Sequence, residues 1–197
     1  MGFSKFPPFL LIICGKVGTG KTYLARHLAE TAGFIHLRSD TVRKRMFNIP
    51  LLSHSKAKLD QGIYNPKITE RVYKKLIEEA SLAISKNKPV VLDATFGKKI
   101  FRERIIALAK KSKIPYCFIE CVTPPKTILK RLRRREKTKE VSDADAIIFL
   151  KKEREFDPIE ISRKHYLKIN TDSSIKSQKD KVLRKISSLI KVKKCQE

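Results

Sequence analysis

Residues Gly15 to Thr22 read Gly-Lys-Val-Gly-Thr-Gly-Lys-Thr, and each residue type has a chemical use at its spacing. Gly15, Gly18 and Gly20 allow a tight backbone turn whose N–H groups converge on an anion. Lys21 places a compact charge where the β- and γ-phosphates of a nucleotide would lie, and the Thr22 hydroxyl can ligate Mg²⁺. The spacing is that of G-x-x-x-x-G-K-[ST], and it follows an apolar run and opens a helical pattern, as the motif requires. A helix N-terminus at this point adds its positive dipole end. A chance glycine-rich turn is the competing reading. With glycine at about 7% of residues it arises in roughly one random chain of this length per hundred, and the strand-before, helix-after context makes it rarer. Gly15, Lys16, Val17, Gly18, Thr19, Gly20, Lys21 and Thr22 are therefore expected to hold a nucleotide, with Thr22 as a metal ligand.

Three further constellations complete the chemistry. Val90-Val91-Leu92 leads into Asp93, a second expected ligand in the Mg²⁺ shell. Ala94 and Thr95 follow it, where a hydrolysing ATPase often has a glutamate to orient water, so transfer to a bound acceptor is favoured over hydrolysis. Asn87-Lys88 is followed by Pro89-Val90, not by a guanine-reading sequence, which leaves ATP as the expected donor. Asp40 follows the second apolar segment, with Arg43 three residues on, one side of a helix if Thr41 opens one. That carboxylate suits a general base for an acceptor hydroxyl, with the arginine steadying the acceptor; a plain helix N-cap is the alternative. The run Lys130-Arg131-Leu132-Arg133-Arg134-Arg135 ends at a polar stretch suited to a mobile lid over about residues 133–145. Arg131 and Arg135 share a helix face and are first choices to clamp the triphosphate, with Arg134 next, although charge runs on helices are usually solvated faces.

Something must position these groups. Buried-strand runs alternate with segments of helical period: Phe9–Cys14, Phe34–Leu37, Val90–Leu92, Tyr116–Val122 and about Tyr166–Ile169. Helices are expected over about Lys21–Ala32 with Gly33 closing it, then through Met46 after a Ser39 or Asp40 cap. A long one follows with Thr69 as its expected cap, and others cover Phe101–Lys111, the segment opened by Pro124-Pro125, about Asp143–Phe156, and Ser174 to about Val192. Asn48–Pro66 reads as loop, and Ser142, Asp143 and Asp145 as caps or lid partners. Strands that are apolar throughout, alternating with helices, specify a parallel sheet covered on both faces. Ligands of such sheets bind beyond the carboxyl ends of the strands, where the residues above fall.

The 197 residues suit one domain, and 45 Lys+Arg against 20 Asp+Glu give a formal charge of +25. That excess draws polyanions, nucleotides and nucleic acids among them, but does not choose between them. Cys14, Cys117, Cys121 and Cys195 show no Cys-x-x-Cys spacing, and the first three lie in apolar runs. They read as reduced core thiols of a cytoplasmic protein. No apolar stretch reaches the length of a membrane span. His27, His36, His54 and His165 have no ligand spacing and read as structural or surface residues, and Tyr64 and Pro66 either cover the acceptor pocket or shape a loop. The basic C-terminal segment is amphipathic, and its Val182, Ile186, Leu189 and Ile190 can dock on the sheet.

Five segments in order resemble one family: GKVGTGKT, LRSDTVRKRMF (37–47), GIYNPKITERVYKKL (62–76), VVLDATF (90–96) and VSDADAIIFLKKEREFDP (141–158). The chain resembles the P-loop kinases related to polynucleotide kinase and zeta toxin, often labelled AAA-type ATP-binding domains. The resemblance implies the α/β P-loop NTPase fold, with a five-stranded parallel sheet in the order 2-3-1-4-5 and an arginine-rich lid. It also implies that Asp40 is the base and Arg43 its partner. The expected activity is ATP-dependent phosphoryl transfer to a hydroxyl of a small molecule. A kinase for nucleic-acid ends and a nucleotide-binding module that transfers nothing are the alternatives.

Overall fold

The computed structural model describes residues 6–51, 63, 65–135 and 156–194. Five strands form one sheet: β1 (Leu10–Cys14), β2 (Ile35–Arg38), β3 (Val90–Asp93), β4 (Tyr116–Val122) and β5 (Tyr166–Asn170). Their order is β2-β3-β1-β4-β5, and each neighbouring pair is parallel. This is the implied order. The helices are α1 (Lys21–Ala32), α2 (Ser39–Met46), α3 (Pro66–Ser85), α4 (Lys99–Lys111), α5 (Pro125–Arg135) and α6 (Ile175–Lys194).

Strand alternation divides the core into two layers. Leu10, Ile12 and Cys14 of β1 face α3 and α4, where Val72, Leu76 and Ile105 meet them. Leu11 and Ile13 face the other way, onto Leu24 and Leu28 of α1 and Val182, Ile186 and Leu189 of α6. All five β1 residues are fully buried, as a central parallel strand requires. The docking expected of the C-terminal helix is therefore present, with Ile190 packed at its margin.

The strands are not apolar throughout. β2 and β5 lie at the two edges and carry His36, Arg38, Lys168 and Asn170. β2 also runs one residue later than expected, because its ladder with β3 begins at Ile35 opposite Val90. Phe34 is buried before the strand, against the rings of Phe6 and Phe9. At the start of α3, Asn65 is the cap in place of Thr69: its Oδ1 accepts from the Ile68 N–H at 2.9 Å, and Pro66 opens the helix. Thr69 lies inside the helix, within reach of Arg43. Gly33 ends α1 as expected, at φ 74, with its N–H on the Ala29 carbonyl. α4 begins at Lys99, two residues before the expected start. The helix expected over about Asp143–Phe156 lies outside the described residues except for Phe156, which is not helical; the caps Ser142, Asp143 and Asp145, Tyr64, His54, Cys195 and most of the 48–66 loop also lie outside them.

Candidate phosphate-transfer site

The phosphate loop joins β1 to α1, and its shape follows from contacts on both flanks. Gly15 has φ 129, and a Cβ there would stand 2.5 Å from the Cys121 carbonyl oxygen of β4. The Gly15 N–H donates to the Thr95 carbonyl at 3.1 Å, tying the loop to the segment after β3. Gly18 and Gly20 have φ 79 and 84, and Gly20 stands at the N-terminus of α1 in the left-handed region. Lys21 Nζ donates to the Lys16 carbonyl at 2.7 Å, and Thr19 Oγ1 donates to the same oxygen at 2.7 Å. The lysine is thus held over the loop it follows.

Asp93, at the end of β3, is only 4% exposed. Burial by itself raises its pKa, but the nearby His36 side chain, the Thr22 hydroxyl and the charge of Lys21 outweigh that and hold the carboxyl below the usual carboxylate range. Asp93 is therefore ionised at neutral pH, beside the Thr22 hydroxyl. Two oxygens of this kind, one carboxylate and one hydroxyl, suit Mg²⁺, which prefers hard oxygen donors and completes its shell with water and phosphate oxygens. No group of three or more His, Cys, Asp or Glu able to hold a metal occurs among the described residues.

His36 and Arg38 join this site. His36 Nε2 lies 3.5 Å and Arg38 Nε 3.4 Å from Asp93 Oδ2, and neither nitrogen has a geometrically good hydrogen-bond partner. They are electrostatic neighbours of the carboxylate. The sequence reading treats His36 as structural, yet the two residues alternate along β2, and Arg38 stands in register with Asp93. The sheet order 2-3-1 contains that information; histidine spacing does not.

Asp40 lies in the first turn of α2 and is not its cap. The N-cap position is Arg38, and no side chain makes a capping hydrogen bond there. Asp40 is 41% exposed and meets Lys44 Nζ at 3.3 Å, an i,i+4 pair. Arg43 is 7% exposed and turns towards α3, donating to the Ile63 carbonyl and to Thr69 Oγ1 at 3.3 Å. Asp40 and Arg43 thus stand at the carboxyl edge of the sheet, engaged with different partners.

Arg131 braces the opposite flank. It donates to Thr171 Oγ1 at 3.0 Å and to the Thr171 carbonyl at 2.8 Å, and meets Asp172 Oδ1 at 3.3 Å. Thr171 Oγ1 in turn donates to the Thr19 carbonyl of the phosphate loop at 2.8 Å. A Cβ on Gly20 would be 3.2 Å from Arg131 Nη1, so the guanidinium lies against the loop. The turn after β5, which sequence reasoning missed, is therefore a wall of the site. Arg135 ends α5, and residues 136–145 of the expected lid lie outside the described residues.

Residues 10–159 match the family model described as AAA domain. The chain belongs to that family. Its fold is the kinase-like P-loop NTPase fold, and the resemblance to P-loop kinases is borne out. A gluconokinase from Sinorhizobium meliloti 1021 superposes with a TM-score of 0.67 at 14% identity, covering 96% of this chain and 98% of that one. The APS kinase of Mycobacterium tuberculosis, solved with AMPPNP and APS, gives 0.62 at 17% identity over 92% of this chain and 98% of the other. At such identities the likeness establishes the fold. By sequence, uncharacterised proteins of Mycobacterium bovis and Mycobacterium tuberculosis are 33% identical over 88 residues, 45% of this chain. The match spans 18% of the length of these relatives. Among the described residues, no helix is long and apolar enough to cross a membrane.

Proposed function

We propose that this domain transfers the γ-phosphoryl group of ATP to a hydroxyl of a small molecule. The observation that carries the reading is the ionised, buried Asp93 beside Thr22 and Lys21 at the mouth of the phosphate loop. Residues 15–22 bind the triphosphate, with loop amides and the α1 N-terminus directed at its oxygens. Thr22 and Asp93 would hold Mg²⁺, which supplies charge neutralisation on the phosphate oxygens when bound. Asp93 is followed by Ala94 and Thr95, so this stretch offers no second carboxylate to orient water.

Asp40 accepts the proton of the acceptor hydroxyl as its oxygen bonds to phosphorus, and ADP departs with the electrons of the broken P–O bond. Arg43 shapes the acceptor side from between α2 and α3. Arg131 stabilises charge at the phosphate loop, together with Arg135 one turn on. The whole 1–197 chain acts as one kinase domain in the cytoplasm.

Incubation with γ-labelled ATP, Mg²⁺ and pooled cell extract, followed by separation of small metabolites from nucleic acid, tests the reading. Label is expected in a small molecule and absent with Lys21→Ala. Normal turnover by that variant would remove the phosphate-loop assignment. The charge of +25 favours a second reading, a kinase for nucleic-acid ends. That reading predicts label in the nucleic-acid fraction and oligonucleotide binding that weakens steeply with salt. A module that binds ATP and transfers nothing would leave both fractions unlabelled.

A further inference from the structure

Phe96 lies three residues beyond Asp93, fully buried, with φ 48. A bulky residue in the left-handed region is strained, and such strain persists only where the surroundings hold it from several directions. They do so here. The Phe96 N–H donates to the Tyr73 hydroxyl oxygen at 2.9 Å, and its carbonyl accepts from Arg102 Nη1 at 2.8 Å. Its ring meets Tyr73 and Phe118 edge-on. The preceding residue, Thr95, offers its carbonyl to the Gly15 N–H and its hydroxyl to Tyr73 at 3.2 Å. One strained turn therefore connects the buried pair Tyr73 and Arg102 to the first residue of the phosphate loop.

Arg102 has no exposure to spare for solvent: it is 2% exposed. Besides Phe96 it donates to the carbonyls of Gly97 at 3.1 Å, Asp157 at 3.2 Å and Pro158 at 2.6 Å. Four main-chain acceptors in two separate segments occupy one planar fork, a task for which a lysine ammonium lacks the geometry. None of its hydrogen bonds among the described residues goes to a carboxylate. A buried cation devoted to backbone is costly and marks a peptide whose position matters.

We propose that Arg102 and Tyr73 are positioning residues for the phosphate loop. By holding the main chain of Phe96 at its N–H and at its carbonyl they set where the Thr95 carbonyl stands, and hence how Gly15 enters the loop. The proposal rests on the nucleotide-binding reading above. It is tested on the full chain by NMR-detected amide exchange and by calorimetric titration with Mg·AMPPNP, using Arg102→Lys and Tyr73→Phe. Each variant is expected to speed exchange of the Gly15 amide about tenfold, leaving the Ile186 amide of α6 unchanged. Each is also expected to weaken Mg·AMPPNP about fivefold, the effect of one loosened hydrogen bond.

Faster exchange at Lys99 and Asp157 with an unchanged Gly15 amide would overturn the proposal, leaving Arg102 as a tether only. If Arg102→Lys does not fold, Tyr73→Phe decides the matter from the other side of the same residue. A wild-type chain that binds no Mg·AMPPNP sinks the nucleotide reading, while the Gly15 exchange rate still decides the positioning claim.

Discussion

Replacing Gly15 by alanine asks whether the phosphate loop is shaped by β4. The added Cβ would stand 2.5 Å from the Cys121 carbonyl oxygen and 3.3 Å from its nitrogen. Those atoms cannot yield cheaply, because β4 is paired to β1 and to β5 on either side of Cys121. The φ of 129 adds a strain of about 1–3 kcal/mol for any residue with a Cβ. Overpacking adds about 1–3 kcal/mol more. The sum, about 2–6 kcal/mol, corresponds to a fall in Tm of roughly 8–16 °C near its middle for a chain of this size.

Gly20→Ala is the internal control. Its φ of 84 brings a similar backbone penalty, about 1–2 kcal/mol, but the neighbours are side chains. Arg131 Nη1 at 3.2 Å and Thr171 Oγ1 at 3.3 Å can shift a few tenths of an ångström. Circular-dichroism melts of the two variants, with Mg·AMPPNP titration alongside, should therefore order them Gly15→Ala well below Gly20→Ala in stability. Equal losses, or a Gly15→Ala melt within about 2 °C of wild type, would refute the argument from β4.

Asp40→Asn should retain nucleotide affinity while transfer slows by about 10²-fold or more, measured with labelled ATP once an acceptor is in hand; unchanged transfer would reduce Asp40 to a surface partner of Lys44. Alkaline stability follows from the thiols: burial pushes Cys117 and Cys121 from 9.0 up to about 12. Their folded-state pKa lies above the unfolded one, so the unfolded chain loses protons first. The thiols' contribution to stability should stay level below about pH 9 and fall between that value and about pH 12, checked by urea denaturation at pH 7.5 and 10.5. A curve that rises over that interval would contradict the burial of these groups.

The sequence determined the parts of this protein that depend on local physics. β1 was legible because a run of six apolar residues, Phe9–Cys14, bounded by a glycine turn, has one economical place in an α/β sheet. The phosphate loop was legible because its glycines, lysine and threonine act within eight consecutive positions. Asp93 could be singled out because a carboxylate closing a buried strand is conspicuous. Helix boundaries were less secure where two polar residues competed. Asn65 displaced Thr69 as the cap of α3, since Pro66 already fixes the first helical position and places the Asn65 side chain against the Ile68 N–H.

Only the tertiary structure decided what stands around those parts. His36 and Arg38 reach Asp93 across a strand boundary of more than fifty residues, through the β2–β3 register. Thr171 and Arg131 come to the phosphate loop from the far side of β4. Asp40 and Arg43, three apart in the chain, take up different partners because α2 turns Arg43 towards α3 and leaves Asp40 beside Lys44. The reason is one of range. Backbone propensity and hydrophobic period act over a few residues and are written in neighbouring letters. The partner of a charged side chain at the edge of a sheet is set by which strand lies beside it, and that is fixed by packing the whole core.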